Sequence, residues 1–182
     1  MPFIEQIANL RITVFKDYPY CYDGDMAYES EYLQTYTNCE ESTIVIALSN
    51  QCVIGASTAI PLEFEVDAFK KPFEKENIKK IFYLGESVLL REFRGKNIYR
   101  HFFHEREKAA LHHGCNRTTF CAVERPASNT LRPLNYYPLD AIWNHFKYEK
   151  NNGRYTYFYW KDIHETVETA KRMVYWEKTL AE

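Results

Sequence analysis

The stretch Glu86-Ser87-Val88-Leu89-Leu90-Arg91-Glu92-Phe93-Arg94-Gly95-Lys96-Asn97-Ile98-Tyr99-Arg100 constrains this chain most. An apolar run stops at a basic turn containing one glycine, and the turn opens a helix. That order builds an anion site. Successive backbone N–H groups of the turn and the unpaired N–H groups of the helix's first turn converge on one small volume, at the positive end of the helix dipole. A pyrophosphate fits such a volume. The spacing excludes the commonest phosphate loops, because neither G-x-x-x-x-G-K-[ST] nor G-x-G-x-x-G after a strand occurs. Asn97 tolerates positive φ better than other non-glycine residues and can hold the turn. The ring of Tyr99 has either to swing away from an anion or to narrow its site.

The rest of the chain predicts the surroundings of this motif. Ile4, Ile7, Leu10, Val14 and Phe15 recur at helical spacing and predict a helix over 3–16. An acidic, aromatic loop over 17–25 with Pro19 and Gly24 separates it from a second helix over 26–36. Residues 43–48 and 52–60 read as a hairpin joined by Ser49-Asn50-Gln51. The Lys- and Glu-rich segment 62–80, with Val66, Phe69 and Phe73, reads as an inserted surface helix or lid. A strand over 81–90, a helix over 97–113 stopped by Gly114, and a buried strand over 117–123 follow. An irregular stretch over 126–138 leads to a short helix over 139–146. Asn151-Asn152-Gly153 reads as a turn, and 154–163 and 172–179 as an antiparallel strand pair. No repeat or linker interrupts the 182 residues, so one domain over 1–182 is expected.

Composition narrows the function classes. Lys+Arg 23 against Asp+Glu 25 gives a net charge of −2 without a long block of one sign, which argues against nucleic acid or an anionic membrane as partner. Met1-Pro2-Phe3-Ile4-Glu5 lacks the pattern of a leader, and no apolar run is long enough to cross a bilayer, so a cytoplasmic location is expected. Five cysteines without a C-x-x-C pair read as free thiols. His101, His104, His112 and His113 lack the acidic partner and second ligand pair of a zinc motif, so no metal is expected.

Residues 94–99, with the strand before and the helix after, resemble the [QR]-x-x-G-x-[GA] signature with which the GNAT superfamily of N-acetyltransferases holds the pyrophosphate of acetyl-CoA. The family's strand and turn read roughly V-x-P-x-Y-R-G-K-G-I-G. Residues 89–99 stand in the same frame; Arg94, Gly95, Lys96 and Ile98 agree, and Asn97 and Tyr99 replace the two glycines. The order of elements is similar to the GNAT topology over essentially the whole chain. The resemblance implies an α/β (α+β) fold: a central mixed, mostly antiparallel sheet of about six to seven strands flanked by helices, with two strands splayed at the cofactor cleft. It implies transfer of acetyl from acetyl-CoA, as co-substrate and without a metal, to a primary amine of a small molecule or peptide. A non-catalytic CoA-sensing or protein-binding module of the same fold is the alternative. A homodimer is compatible with either.

Carried over residue by residue, the resemblance assigns Arg94, Gly95, Lys96, Asn97, Ile98, Tyr99 and Arg100 to the pyrophosphate. Backbone at Val88, Leu89 and Leu90 would meet the pantetheine and acetyl group, and Asn129 the pantetheine arm. Acetyl transfer to an amine needs no nucleophilic side chain, only positioning, a base for the amine's proton and an acid for the departing thiolate. Glu86 is the lone carboxylate of the 81–90 strand and is the candidate base. The family commonly draws the acid from a Tyr in the helix after the second splayed strand. Trp143 stands at that place, which leaves Tyr137 or Tyr136, just before the helix, as substitutes. The acceptor side would use Tyr20, Tyr22 and Asp23, since an acidic, aromatic pocket suits a cationic amine.

Overall fold

The computed structural model describes residues 3–181; Met1 and Pro2, part of the stretch read for a leader, and Glu182 lie outside it. The helical spacing near the start becomes α1 (Ile4–Phe15), which buries Ile7 and Leu10. Asp25 then caps α2 (Met26–Thr37), its side chain accepting from the backbone of Ala27 and Tyr28. The hairpin forms β1 (Thr43–Ser49) and β2 (Cys52–Pro61). After α3 (Asp67–Lys70) come β3 (Ile81–Leu89), α4 (Ile98–His112), β4 (Arg117–Val123), α5 (Asp140–His145), β5 (Glu149–Trp160) and β6 (Thr169–Thr179). The strands join in one six-stranded sheet of order β1-β2-β3-β4-β6-β5, in which only β3 and β4 run parallel. Ile7, Leu10 and Leu33 bring α1 and α2 onto one face, against Val53, Ala56 and Val88. Phe103 and Ala110 bring α4 onto the other, against Phe82, Leu84, Phe120 and Trp176.

Two expected features differ. Segment 62–80 is neither a surface helix nor a lid but a series of short turns around the single turn of α3. Pro72 stops any helix there, because it has no N–H to donate and its ring clashes with the preceding turn. Phe69 and Phe73 are buried, with ring centroids 4.5 Å from Tyr83 and 5.1 Å from Tyr175 respectively. The Lys and Glu residues around them hid two core anchors. The second difference is at Asn151-Asn152-Gly153, which lies inside β5 as an irregularity between the Asn151↔Tyr175 and Tyr155↔Val174 pairs. An edge strand tolerates such an interruption because only one side is hydrogen-bonded.

If segment 62–80 is core, Phe73→Ala should cost about 3–5 kcal/mol, as deletion of a buried aromatic ring does. The denaturant midpoint checks this; a lid residue would leave it unmoved.

Candidate active site

The parallel pairing of β3 and β4 is short. Ile81, Phe82 and Tyr83 pair with Arg117, Thr118 and Thr119, and beyond them the strands part, although β3 continues to Leu89 and β4 to Val123. On its other side β3 carries a bulge. Ser57 pairs with Ser87 and Ala59 with Leu84, so Gly85 and Glu86 together oppose Thr58. Side chains alternate along a strand, and one extra residue reverses the alternation. Phe82 and Leu84 face α4, whereas Val88 packs with α1. Without the bulge Glu86 would share the face of Leu84; with it, Glu86 turns toward α1 and α2.

Glu86 is buried, and three side chains converge on its Oε2. Arg11 Nη1 lies at 2.7 Å, Thr58 Oγ1 donates at 3.0 Å and Tyr32 Oη donates at 3.1 Å. Its Oε1 is buried with no hydrogen-bond partner among the described residues. Arg11 also pairs with buried Glu29 on α2. Burial would lower the Arg11 pKa, but Glu86, Tyr32 and Glu29 together hold it well above its ordinary value. From the opposite face Arg106 Nη1 donates to the backbone carbonyls of Glu86 at 3.1 Å and Thr58 at 3.3 Å, fixing the bulge.

Past β3 the turn has the form that an anion requires. Gly95 and Asn97 both take positive φ, +76° and +63°, and α4 begins immediately after. Among the described residues, no backbone N–H from Gly95 to Tyr99 donates to another protein atom. Gly95, Lys96 and Asn97 are exposed. Arg94 turns back, its Nε donating to the Leu89 carbonyl at 3.3 Å. The Tyr99 ring swings away from the turn and packs 5.3 Å from Phe103, while its hydroxyl accepts from Trp143 Nε1 at 3.1 Å. Burial raises the Tyr99 phenol above its ordinary pKa.

A cleft of about 890 Å³ lies between residues of the parted strands and of the α1–α2 loop. Glu86, Tyr99, Cys121 and Trp143 line it together with Tyr20, Tyr22, Tyr28, Tyr136, Tyr159 and Trp160. The wall formed by Pro19 and Tyr20 is braced by Arg125, two residues past β4. Its guanidinium donates to both oxygens of Asp162, at 2.7 and 2.8 Å, and to the carbonyls of Pro19 and Tyr20, each at 2.8 Å.

The fold has known counterparts. An aminoglycoside 6'-N-acetyltransferase complexed with coenzyme A is 15% identical over 97% of this chain and 90% of its own, with a TM-score of 0.62. The ribosomal-protein-alanine N-acetyltransferase of Brucella melitensis is 13% identical over 98% and 95%, with a TM-score of 0.63. A Desulfovibrio desulfuricans protein of the GNAT family is 9% identical over 97% and 94%, with a TM-score of 0.60. This is the GNAT fold. No family model and no curated protein matches the sequence itself.

Within the GNAT frame the expected site residues divide. Glu86, Tyr20, Tyr22, Asp23, Tyr99 and Tyr136 line one cleft. Asp23 is engaged by Lys161 at 2.6 Å, which draws its carboxyl below the usual range. Asp25, a neighbour in the same loop, is taken up as the cap of α2. Val88 and Leu89 are buried in β3, and the N–H of Leu90 donates to the Ile54 carbonyl at 2.9 Å. Arg100 is exposed on the first turn of α4. Two expected residues stand apart. Tyr137 is 83% exposed and outside the cleft. Asn129 spends its Oδ1 on the N–H of Leu131 at 2.9 Å and lines a separate hollow beside Asp162. Residues that shape the site without having been singled out by the sequence include Arg11, Glu29, Tyr32, Thr58, Glu65, Arg106 and Arg125. Arg11 and Arg106 do leave a signal, a charge within the apolar stripe of a helix, one turn after Ile7 and Phe102.

A methyl group on Gly85 would overlap Thr58 Oγ1 and Tyr36 Oη. Gly85→Ala should therefore destabilise the protein by about 1–3 kcal/mol, measured by urea unfolding.

Proposed function

We propose that this protein transfers the acetyl group of acetyl-CoA to a primary amine of a cationic small molecule or peptide. The observation that carries the reading is the parting of β3 and β4, with a buried carboxylate at its lip and a row of unbonded N–H groups at its end. An extended polar arm can hydrogen-bond in such a gap, because strand edges that have lost their partner need one. The N–H groups of Gly95 to Tyr99 would hold the pyrophosphate, with Lys96 and Arg100 adding charge. Acetyl-CoA supplies the activated acetyl; the chain's residues orient the reactants and move protons.

Glu86 Oε1 accepts the amine's proton, directly or through water, while Arg11, Thr58 and Tyr32 hold Oε2. Of the two tyrosines expected as acid, Tyr136 lines the cleft and Tyr137 does not. Tyr99 is a second candidate, because its hydroxyl is steadied by Trp143, the residue that replaces the usual tyrosine. A phenol whose pKa is raised by burial is neutral at pH 7 and can donate to a thiolate.

The neighbours named for aminoglycosides and for a ribosomal-protein alanine differ in acceptor, so the fold leaves the acceptor open. Charge narrows it. Glu31 and Glu168 line the cleft, and neither has an ion-pair partner among the described residues, and the aromatic rings around them favour cations.

Calorimetry should show acetyl-CoA binding, and thiol release should be seen with cationic amines and not with neutral ones. Glu86→Gln should lower the rate by about a hundredfold and keep CoA affinity; an unchanged rate would remove Glu86 from the chemistry. Tyr136→Phe and Tyr99→Phe separate the acids: the true donor's variant slows turnover and leaves acetyl-CoA affinity intact.

A further inference from the structure

The hydrogen-bond chain behind Glu86 is one proton short if both of its carboxyl groups are ionised. Glu86 Oε2 lies 3.1 Å from Tyr32 Oη, which lies 2.9 Å from Tyr36 Oη, which lies 2.8 Å from Glu65 Oε1. Three contacts between four oxygens need three protons, and the two phenols supply two. With both carboxylates charged, one contact would set lone pair against lone pair in a buried site, where an unmade hydrogen bond costs most.

The surroundings decide which carboxyl holds the third proton. Glu86 Oε2 faces the Arg11 guanidinium and accepts from Thr58 as well, so this carboxyl has a counter-charge and a second donor. Glu65 is buried at 3% exposure, has no ion pair among the described residues, and accepts at Oε2 only from the N–H of Val66. We propose that Glu65 is a neutral carboxylic acid that donates to Tyr36, which donates to Tyr32, which donates to the Glu86 carboxylate. The chain then runs in one direction, fixes the plane of Glu86 and leaves Oε1 as its free acceptor. Glu65 is a positioning residue. Its role in acetylation rests on the function proposed above; its protonation does not.

The electrostatics agree. Burial raises the Glu65 pKa and Glu86 adds to the rise, while Tyr36, Val66 and Lys70 oppose it. Glu65 is also felt by Tyr32 and Tyr36 from α2, Tyr83 from β3, Cys121 from β4 and Tyr175 from β6, each neutral at pH 7 with its own pKa raised by burial. A carboxyl whose folded pKa is raised contributes fully below the unfolded value of about 4.3 and loses that contribution as pH rises through the folded value.

Glu65→Gln tests this directly, because an amide keeps both bonds of the acid, N–H to Tyr36 and C=O from Val66. The variant should match wild type in stability at acid pH and exceed it as pH rises. The infrared spectrum of wild type at pH 7 should hold a protonated-carboxyl band that is lost in Glu65→Gln. Acetylation by Glu65→Gln should persist on the alkaline side, where wild type declines, and Glu65→Ala should lose about tenfold to a hundredfold at all pH values. A Glu65→Gln protein that fails to fold or is less stable than wild type at neutral pH would overturn the proposal, as would absence of the band. Absence of any acetylation, with the band present, would count against the function and not against the protonated Glu65.

Discussion

A guanidinium buried between two carboxylates has to keep both, since removing either leaves a charge away from water at a cost of about 3–5 kcal/mol. Arg11 stands in that position between Glu29 and Glu86. The three residues come from α1, α2 and β3, so one pairing fixes both helices against the strand that bounds the cleft. It also sets a guanidinium 2.7 Å from the buried Glu86 carboxyl. The α1–α2 side of the cleft is thus joined to the sheet through Glu86, the base of the proposed reaction.

The sheet contributes by what it leaves undone. Parallel pairing of β3 and β4 stops at Tyr83 and Thr119, and unpaired strand edges inside a protein demand another hydrogen-bonding partner. The bulge at Gly85 and Glu86 works with that parting, because it carries the carboxylate from the α4 face to the α1–α2 face. Arg106 holds the bulge from behind, through two backbone carbonyls. Tyr36 can reach the bulge because Gly85 has no side chain. Charge, bulge and gap therefore form one construction with the hydrogen-bond chain to Glu65.

Helix boundaries, the first hairpin, the order of elements and the turn over Gly95 to Asn97 were legible in the sequence, since each depends on residues within a few positions of one another. Periodicity marks a buried stripe, glycine and asparagine mark positive φ, and a lone carboxylate in an apolar strand stands out. That was enough to mark Glu86 as unusual and to place a positive-φ turn before α4. Phe69 and Phe73 were misread for the same reason in reverse: their neighbours in sequence are Lys and Glu, while their neighbours in space are Tyr83 and Tyr175.

The tertiary structure alone decided the direction in which Glu86 points and the groups that hold it. A bulge exists only relative to a partner strand, and Gly85 and Glu86 share Thr58 only when β2 lies alongside. Arg11 and Tyr32 meet it, and Tyr36 and Glu65 reach it through Tyr32, from segments far apart in the chain. Arg125 and Asp162, also distant in sequence, pair beside the Pro19–Tyr20 wall of the cleft. Trp143 and Tyr99, read separately as departures from a motif, become one hydrogen-bonded pair. A sequence determines local conformation through nearest neighbours, whereas the charge state of a buried group depends on every element packed around it.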